Sequence, residues 1–163
     1  MSIRAARRED LAAIGDIWNA AIRDTAQTFN SVEKSLADLA DTFAARQADG
    51  HALLVVEDAG RVRGFGTYVQ FRGGVGYART MEHTLYLAAD ARGRGMGDAL
   101  LRALEEHARA RGMKSLIGGI AGENTGSIRF HERLGYARIA TLPQVGYKFG
   151  RYMDLVLMQK MLS

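Results

Sequence analysis

Residues 92–98 read Arg-Gly-Arg-Gly-Met-Gly-Asp, between an alternating run, Thr80–Leu87, and a strongly helical one over 97–111. Glycines at 93, 95 and 97 let successive backbone N–H groups turn toward one point without interference from Cβ atoms. A helix starting there adds N–H groups that have no helical acceptor, together with the positive end of its dipole. Strand, glycine loop and helix make a cradle for a pyrophosphate, and the question is which compound carries it. Two familiar phosphate binders fail on spacing. A P-loop needs Gly-x-x-x-x-Gly-Lys-Ser/Thr, and the chain contains no Gly-Lys-Ser/Thr. A dinucleotide fold needs Gly-x-Gly-x-x-Gly, a βαβ repeat and an acid about 20 residues on. Here the glycines alternate, and residues 112–122 lead into one short helix. By residue type alone, a glycine-rich turn capping an ordinary helix stays open.

The elements that must position this loop are legible on either side of it. Residues 3–6 read as a short strand, and Asp10 stands where it would N-cap the next helix. Leu11, Ile14, Ile17, Trp18 and Ala21 recur at helical spacing, which predicts a helix over 11–23 with one buried face. Residues 24–35 are polar and irregular and carry Phe29, and 36–47 read as a second helix closing near Asp49-Gly50. Residues 51–57 and 61–71 are β-rich and joined by Asp58-Ala-Gly60, a hairpin signal. The segment 72–76 then leads into a strand over 77–87. Met96, Ala99, Leu100, Ala103, Leu104, His107 and Ala108 form one helical stripe, and Gly112 follows a basic last turn. Ser115–Ala121 reads as a buried strand, and Asn124 or Thr125 starts a short helix closing at Leu134-Gly135. Residues 139–142 and 152–161 complete the sheet. The order β-α-α-β-β-β-α-β-α-β-β predicts one mixed α/β domain over residues 1–163.

Composition removes several classes of function. The 163 residues are 47% hydrophobic and 25% charged, as in ordinary globular domains. No apolar run reaches the 18 or so residues of a membrane span, and the first ten residues lack an apolar signal core. Without cysteine there is no disulfide framework and no thiol nucleophile. His51, His83, His107 and His131 are scattered, with no metal-ligand spacing. The 22 basic and 18 acidic residues are interleaved, which argues against nucleic acid despite the net charge of +4. A cytoplasmic, metal-free protein is expected.

Arg92, Gly95 and Gly97 fit Arg-x-x-Gly-x-Gly, and the loop resembles the coenzyme A loop of the GNAT superfamily of acyl-CoA N-acyltransferases. Asn124-Thr-Gly-Ser-Ile-Arg-Phe-His-Glu-Arg-Leu-Gly-Tyr136 is similar to the last-helix signature of that superfamily. Three further stretches resemble one branch of it, the phosphinothricin, methionine sulfone and methionine sulfoximine acetyltransferases. They are Thr80-Met-Glu-His-Thr-Leu-Tyr-Leu87, Gly146-Tyr-Lys-Phe-Gly-Arg-Tyr-Met-Asp154 followed by Gln159, and Asp24-Thr-Ala-Gln-Thr-Phe29. The chain departs from the branch in three places. Ala89 and Asp90 stand where a proline usually follows the strand, no proline follows Phe29, and Gly73-Gly74-Val75-Gly76 lacks bulky residues.

The resemblance implies an acetyl-CoA-dependent N-acetyltransferase in a GNAT-like mixed-sheet fold, with the coenzyme loop between the central strand and a helix. Acyl transfer needs a neutral amine, and alkyl amines (pKa about 10) and α-amino groups (about 8) must lose a proton. Alternation puts Thr80, Glu82, Thr84 and Tyr86 on one face of the strand and Met81, His83, Leu85 and Leu87 on the other. Glu82 matches the branch's catalytic glutamate, a general base acting through a water; by residue type it could equally be a strand acid paired with an arginine. Backbone groups of Leu85, Tyr86 and Leu87 are implied to bind the pantetheine amides and the oxyanion. Main-chain N–H groups of Gly93, Arg94, Gly95, Met96, Gly97 and Asp98 are implied to hold the pyrophosphate, with Arg92 and Arg94 adding charge or facing solvent. Asn124, Ser127 and His131 fall on one helical stripe beside the coenzyme. His131 is then either the proton donor to the leaving thiolate or a structural residue.

On the acceptor side, Arg72 is expected to pair with a substrate carboxylate. Phe29 would cover the substrate side chain, with Tyr77, Arg79, Thr80 and Lys148 around it; surface charge is the alternative for both arginines. The branch implies phosphinothricin, methionine sulfoximine or methionine sulfone as acceptor. It also implies a homodimer with 146–152 and the last strand near the interface, and no nucleic-acid or membrane partner. The rival acceptors are an aminoglycoside, a polyamine or a protein N-terminus. A non-catalytic acyl-CoA-binding module is the rival outside enzymes.

Overall fold

In the computed structural model, which describes residues 1–163, the elements follow the expected order. They are β1 (Ser2–Ala5), α1 (Leu11–Asp24), α2 (Leu36–Asp49), β2 (Leu53–Asp58), β3 (Arg61–Gln70), β4 (Thr80–Leu87), α3 (Met96–Ala110), β5 (Ser115–Ala121), α4 (Thr125–Arg133), β6 (Ala137–Lys148) and β7 (Arg151–Met161). The seven strands form one sheet in the order β1-β2-β3-β4-β5-β7-β6. Every neighbouring pair is antiparallel except β4 and β5. A parallel pair needs a crossover connection, which α3 supplies.

That helix lays Leu100 and Leu104, both fully buried, against β3 and β4. Gly66 makes the approach possible, since a Cβ there would stand 2.7 Å from Leu104 Cδ1. The same face of the sheet carries the larger core, with Met81, Leu116, Ile120 and Met158. The opposite face buries Ile14 and Ile17 of α1 and Leu39 and Phe43 of α2 against Val55 and Phe65. Each such side chain stabilises the fold by about 1.5–3 kcal/mol on burial, so the two helical layers clamp the sheet that carries the site. No helix is long and apolar enough to cross a membrane.

Local structure departs from the sequence-based expectation in three places. Asp10 does not cap α1: its carboxylate accepts from Arg4 Nη1 at 2.7 Å, Arg4 Nη2 at 3.0 Å and the Arg7 N–H at 2.7 Å. A bidentate arginine is a stronger partner than one capping N–H, and it holds the Asp10 carboxyl below the ordinary range. The strand expected from residue 77 begins at Thr80, because Val75–Tyr77 forms a 3-10 turn after Gly74, whose φ is 105°. The short strand expected over 139–142 is the longer Ala137–Lys148. Register shifts between Arg138 and Ala140 and between Leu142 and Gly146 carry it past Pro143. Pro143 is tolerated there because β6 is the edge of the sheet, where a missing N–H removes no ladder bond.

Candidate active site

β4 pairs with β5 only from Thr80↔Ser115 to His83↔Gly118, after which the two strands part. On its other side β4 follows β3 to Leu87 without a register shift. Bonds from the Phe71 N–H to the Thr80 carbonyl, 2.9 Å, and from the Ala88 N–H to the Arg63 carbonyl, 2.8 Å, bracket that ladder. Bonded pairs alternate in an antiparallel ladder. Even-numbered residues of β4 therefore turn their backbone groups toward β3, and odd-numbered ones toward β5. Leu85 and Leu87 present N–H and C=O to the gap, whereas the Tyr86 backbone is engaged with β3. The expectation for 85–87 thus narrows to two residues, and Tyr86 brings only its side chain to the site.

Beyond the gap, Gly93 and Gly95 have φ of 74° and 80°, the left-handed region that favours glycine. The first backbone bond of α3 runs from the Ala99 N–H to the Gly95 carbonyl, 3.1 Å. The N–H groups of Gly93 through Asp98 have no intramolecular acceptor. A run of unpaired donors at a helix N-terminus fits a pyrophosphate. Side chains in the loop divide. Arg92 lines the cavity described below, but Arg94 turns away to Asp58 at 2.9 Å and Asp98 to Arg102 at 3.1 Å. Met96 is buried in the core, and Gly95 contributes only its backbone.

Gap and loop open into one cavity of about 580 Å³ whose lining comes from both faces of the sheet. Gln27, Thr28, Phe29, Glu82 and Tyr86 line it on the α1–α2 side. Arg92, Gly93, Gly97, Asn124, Ser127 and Phe130 line it on the α3–α4 side. Asn124 also caps α4, its side-chain oxygen accepting from the Ser127 N–H at 3.2 Å. Glu82 is the one acidic residue of the lining. No arginine pairs with it, and burial pushes its carboxyl above the ordinary range. An uncompensated carboxylate facing a cavity is held for chemistry more readily than for stability.

Sequence reading missed what makes room for these groups. A Cβ at Gly119 would lie 3.1 Å from Glu82 Oε2, and one at Gly118 would lie 2.8 Å from the His83 ring. Adjacent glycines inside a strand signal such close approach, and that was the available clue.

Two of the scattered histidines, His83 and His131, are in fact paired. His83 Nε2 and His131 Nε2 are 3.0 Å apart, and His131 Nδ1 is 2.7 Å from the Ser127 carbonyl. A carbonyl only accepts, so His131 Nδ1 carries a proton and donates it there. Burial lowers the pKa of His131, and burial followed by the neighbouring His131 lowers that of His83 to about 3. Both rings are therefore neutral. His131 Nε2 accepts from the His83 Nε2–H, leaving His83 Nδ1 buried without a partner. Neither ring has an N–H free to face the cavity, which departs from the expectation that His131 delivers a proton to the thiolate.

The acceptor residues are only partly assembled. Phe29 reaches the cavity, but Arg72, Tyr77, Arg79, Thr80 and Lys148 do not line it. Arg72 is exposed, its guanidinium 5.6 Å from the Tyr77 ring centroid. Lys148, only 4% exposed, donates to the Thr25 and Thr28 carbonyls at 2.6 and 2.8 Å. Its charge is thus turned to the backbone of the 25–28 segment and not to the cavity.

Comparison with known proteins agrees with this geometry. The acetyltransferase (GNAT) domain family matches residues 3–157. The L-methionine sulfoximine/L-methionine sulfone acetyltransferase of Pseudomonas paraeruginosa is 42% identical over 159 residues, which are 97% of this chain and 92% of that protein. The yncA structure from Salmonella typhimurium, solved with its cofactor acetyl-CoA, has a TM-score of 0.97 at 38% identity, covering 100% of this chain and 94% of that one. A GNAT superfamily phosphinothricin acetyltransferase from Sinorhizobium meliloti, in complex with acetyl-CoA, has a TM-score of 0.95 at 30% identity, covering 99% and 88%. With a split β4–β5 pair, an unpaired glycine-loop cradle and a matching family over nearly its whole length, the chain belongs to the GNAT acetyltransferases.

Proposed function

We propose that this protein transfers the acetyl group of acetyl-CoA to the α-amino group of a small amino-acid-like acceptor: methionine sulfoximine, methionine sulfone or phosphinothricin. The observation that carries the reading is Glu82, an unpartnered carboxylate set between the open edge of β4 and the acceptor side of the cavity. The acceptor class is supported by the names of the similar proteins.

Acetyl-CoA, when bound, supplies an acetyl thioester as electrophile. The N–H groups of Gly93–Asp98 and the α3 N-terminus hold the pyrophosphate, Arg92 adds charge, and Asn124 and Ser127 form the adjoining wall. Leu85 and Leu87 offer backbone partners to the pantetheine amides and an N–H toward a carbonyl oxygen that gains negative charge. Glu82 removes a proton from the amine, directly or through one water. The neutral His83–His131 pair ties β4 to α4 beside the gap. A thiol of pKa about 8.5 takes its proton from water with little assistance. Phe29 covers the acceptor side chain. The protein works in the cytoplasm as a homodimer joined through the exposed β6–β7 hairpin, where Tyr147, Phe149 and Tyr152 are solvent-facing.

A polycationic aminoglycoside fits less well, because such a pocket wants several acids and the lining has only Glu82. The test is acetyl-CoA-dependent thiol release with the three named acceptors, methionine, spermidine, an aminoglycoside and a short peptide. Turnover of the sulfone, sulfoximine and phosphinothricin above methionine is expected. Turnover of only a polyamine or the peptide would overturn the acceptor.

A further inference from the structure

Three of the residues that line the acceptor side, Gln27, Thr28 and Phe29, belong to a segment with no regular structure. Its own bonds are short-range: the Gln27 N–H to Thr25 Oγ1 at 3.1 Å, and the Asn30 N–H to Thr28 Oγ1 at 3.2 Å. Such bonds shape a turn but do not fix where it sits. The far end is clamped, since the Asn19 amide accepts from the Lys34 N–H at 2.8 Å and donates to the Lys34 carbonyl at 2.9 Å. The near end, which carries the wall, is held from β6.

Two alternate residues of β6 do the holding, both buried while their neighbours Val145 and Tyr147 are exposed. Gly146 seats the Phe29 ring: a Cβ there would lie 2.4 Å from ring carbons. Lys148 Nζ bridges the Thr25 and Thr28 carbonyls, on either side of Gln27. Bonds from an ammonium are about twice as strong as neutral ones, and losing the donor leaves both carbonyls without their partner. Burial lowers the pKa of Lys148, and no carboxylate pairs with it. Tyr86 of β4 also reaches the Thr28 side chain, and Gly146 and Lys148 add the tie to the sheet edge.

We propose that Lys148, acting with Gly146, is a positioning residue that sets the acceptor wall, and so acceptor selectivity, without touching the substrate. The inference rests on the acceptor side assigned above. The coenzyme side, built on β4, the 92–98 loop and α4, shares no contact with Lys148. Removing the lysine should therefore separate the two substrates kinetically.

Steady-state kinetics on the full chain test this, with methionine sulfone as varied acceptor and acetyl-CoA varied separately. Lys148→Met is expected to lower kcat/KM for the sulfone about ten- to hundredfold, with KM for acetyl-CoA held within about twofold. Lys148→Arg, which keeps a cation and its donors, should recover most of that loss. Gly146→Ala leaves the lysine in place and displaces Phe29, so it should give the same split; this variant decides the matter should Lys148→Met not fold. Equal losses toward both substrates, or an unchanged kcat/KM for the acceptor, would overturn the proposal. If the wild-type protein acetylates a different amine, the acceptor reading above falls, and the same split measured with that amine still decides the role of Lys148.

Discussion

Replacing Glu82 by glutamine separates catalysis from stability in a single variant. The carboxylate makes no ion pair, and the only influence on its pKa is the desolvation that raises it. The amide therefore strands no partner, unlike loss of Asp10, which would leave Arg4 with Glu57 as its one remaining carboxylate. The lesion should fall on kcat. Removing a general base costs about 10²–10⁴-fold, or about 2.7–5.4 kcal/mol of barrier. Stability should move the other way. A carboxyl whose folded pKa lies above its unfolded value contributes stability that is complete below the unfolded pKa and lost as pH rises through the folded one. At neutral pH the wild-type protein carries the cost of that buried charge, and Glu82→Gln should melt higher. Activity needs the ionised carboxylate, so the acid limb of the wild-type kcat/KM profile should lie above the ordinary carboxylate range. The deficit of the variant should shrink toward pH about 8, where an α-amino group loses its proton unaided. Acetyl-CoA affinity by calorimetry should be unchanged. Near-normal kcat at pH 7, or a lower melting temperature, would refute the reasoning.

Other outcomes follow from the same geometry. Gly95→Ala should cost roughly 1–2 kcal/mol of stability through its left-handed backbone, because its φ is 80° and no atom lies within 4 Å of the new Cβ. Gly97→Val should weaken acetyl-CoA binding more than about tenfold by calorimetry, since its side chain enters a cavity-lining position already bounded by Phe130 and Leu87. Arg72→Ala should raise acceptor KM by no more than about threefold, as expected for a surface charge; a larger rise would mean that the 72–76 segment carries the guanidinium to the substrate. Light scattering at micromolar concentration should give the mass of two 17.8 kDa chains, and Tyr147→Glu with Tyr152→Glu should give one; a wild-type monomer would refute the dimer.

Sequence carried furthest where chemistry is written into the backbone. The glycines of 92–98, the stripe of α3 and the alternation of Thr80–Leu87 each declare a local conformation, and local conformation is what residue type governs. The Asn124 cap and the position of Glu82 followed in the same way. What misled were side chains whose role depends on a distant partner. Asp10 looked like a cap until Arg4 claimed it, and Lys148 looked like a substrate contact although it holds a segment more than 100 residues earlier in the chain. The strand read over 139–142 fell short of the observed Ala137–Lys148 because sequence does not say which strand lies at an edge, where Pro143 is tolerated.

By itself, then, the sequence determined the order of elements, the glycine cradle and the strand position of Glu82, because each rests on periodicity, glycine conformation or alternation along a strand. Only the tertiary structure decided where β4 and β5 separate, and hence that Leu85 and Leu87 but not Tyr86 face the gap. It alone brought His83 and His131, 48 residues apart, within 3.0 Å and so fixed their tautomers. It also left Arg72 outside the cavity. These outcomes depend on which non-local groups meet, and packing across the sheet, rather than any pattern along the chain, settles that.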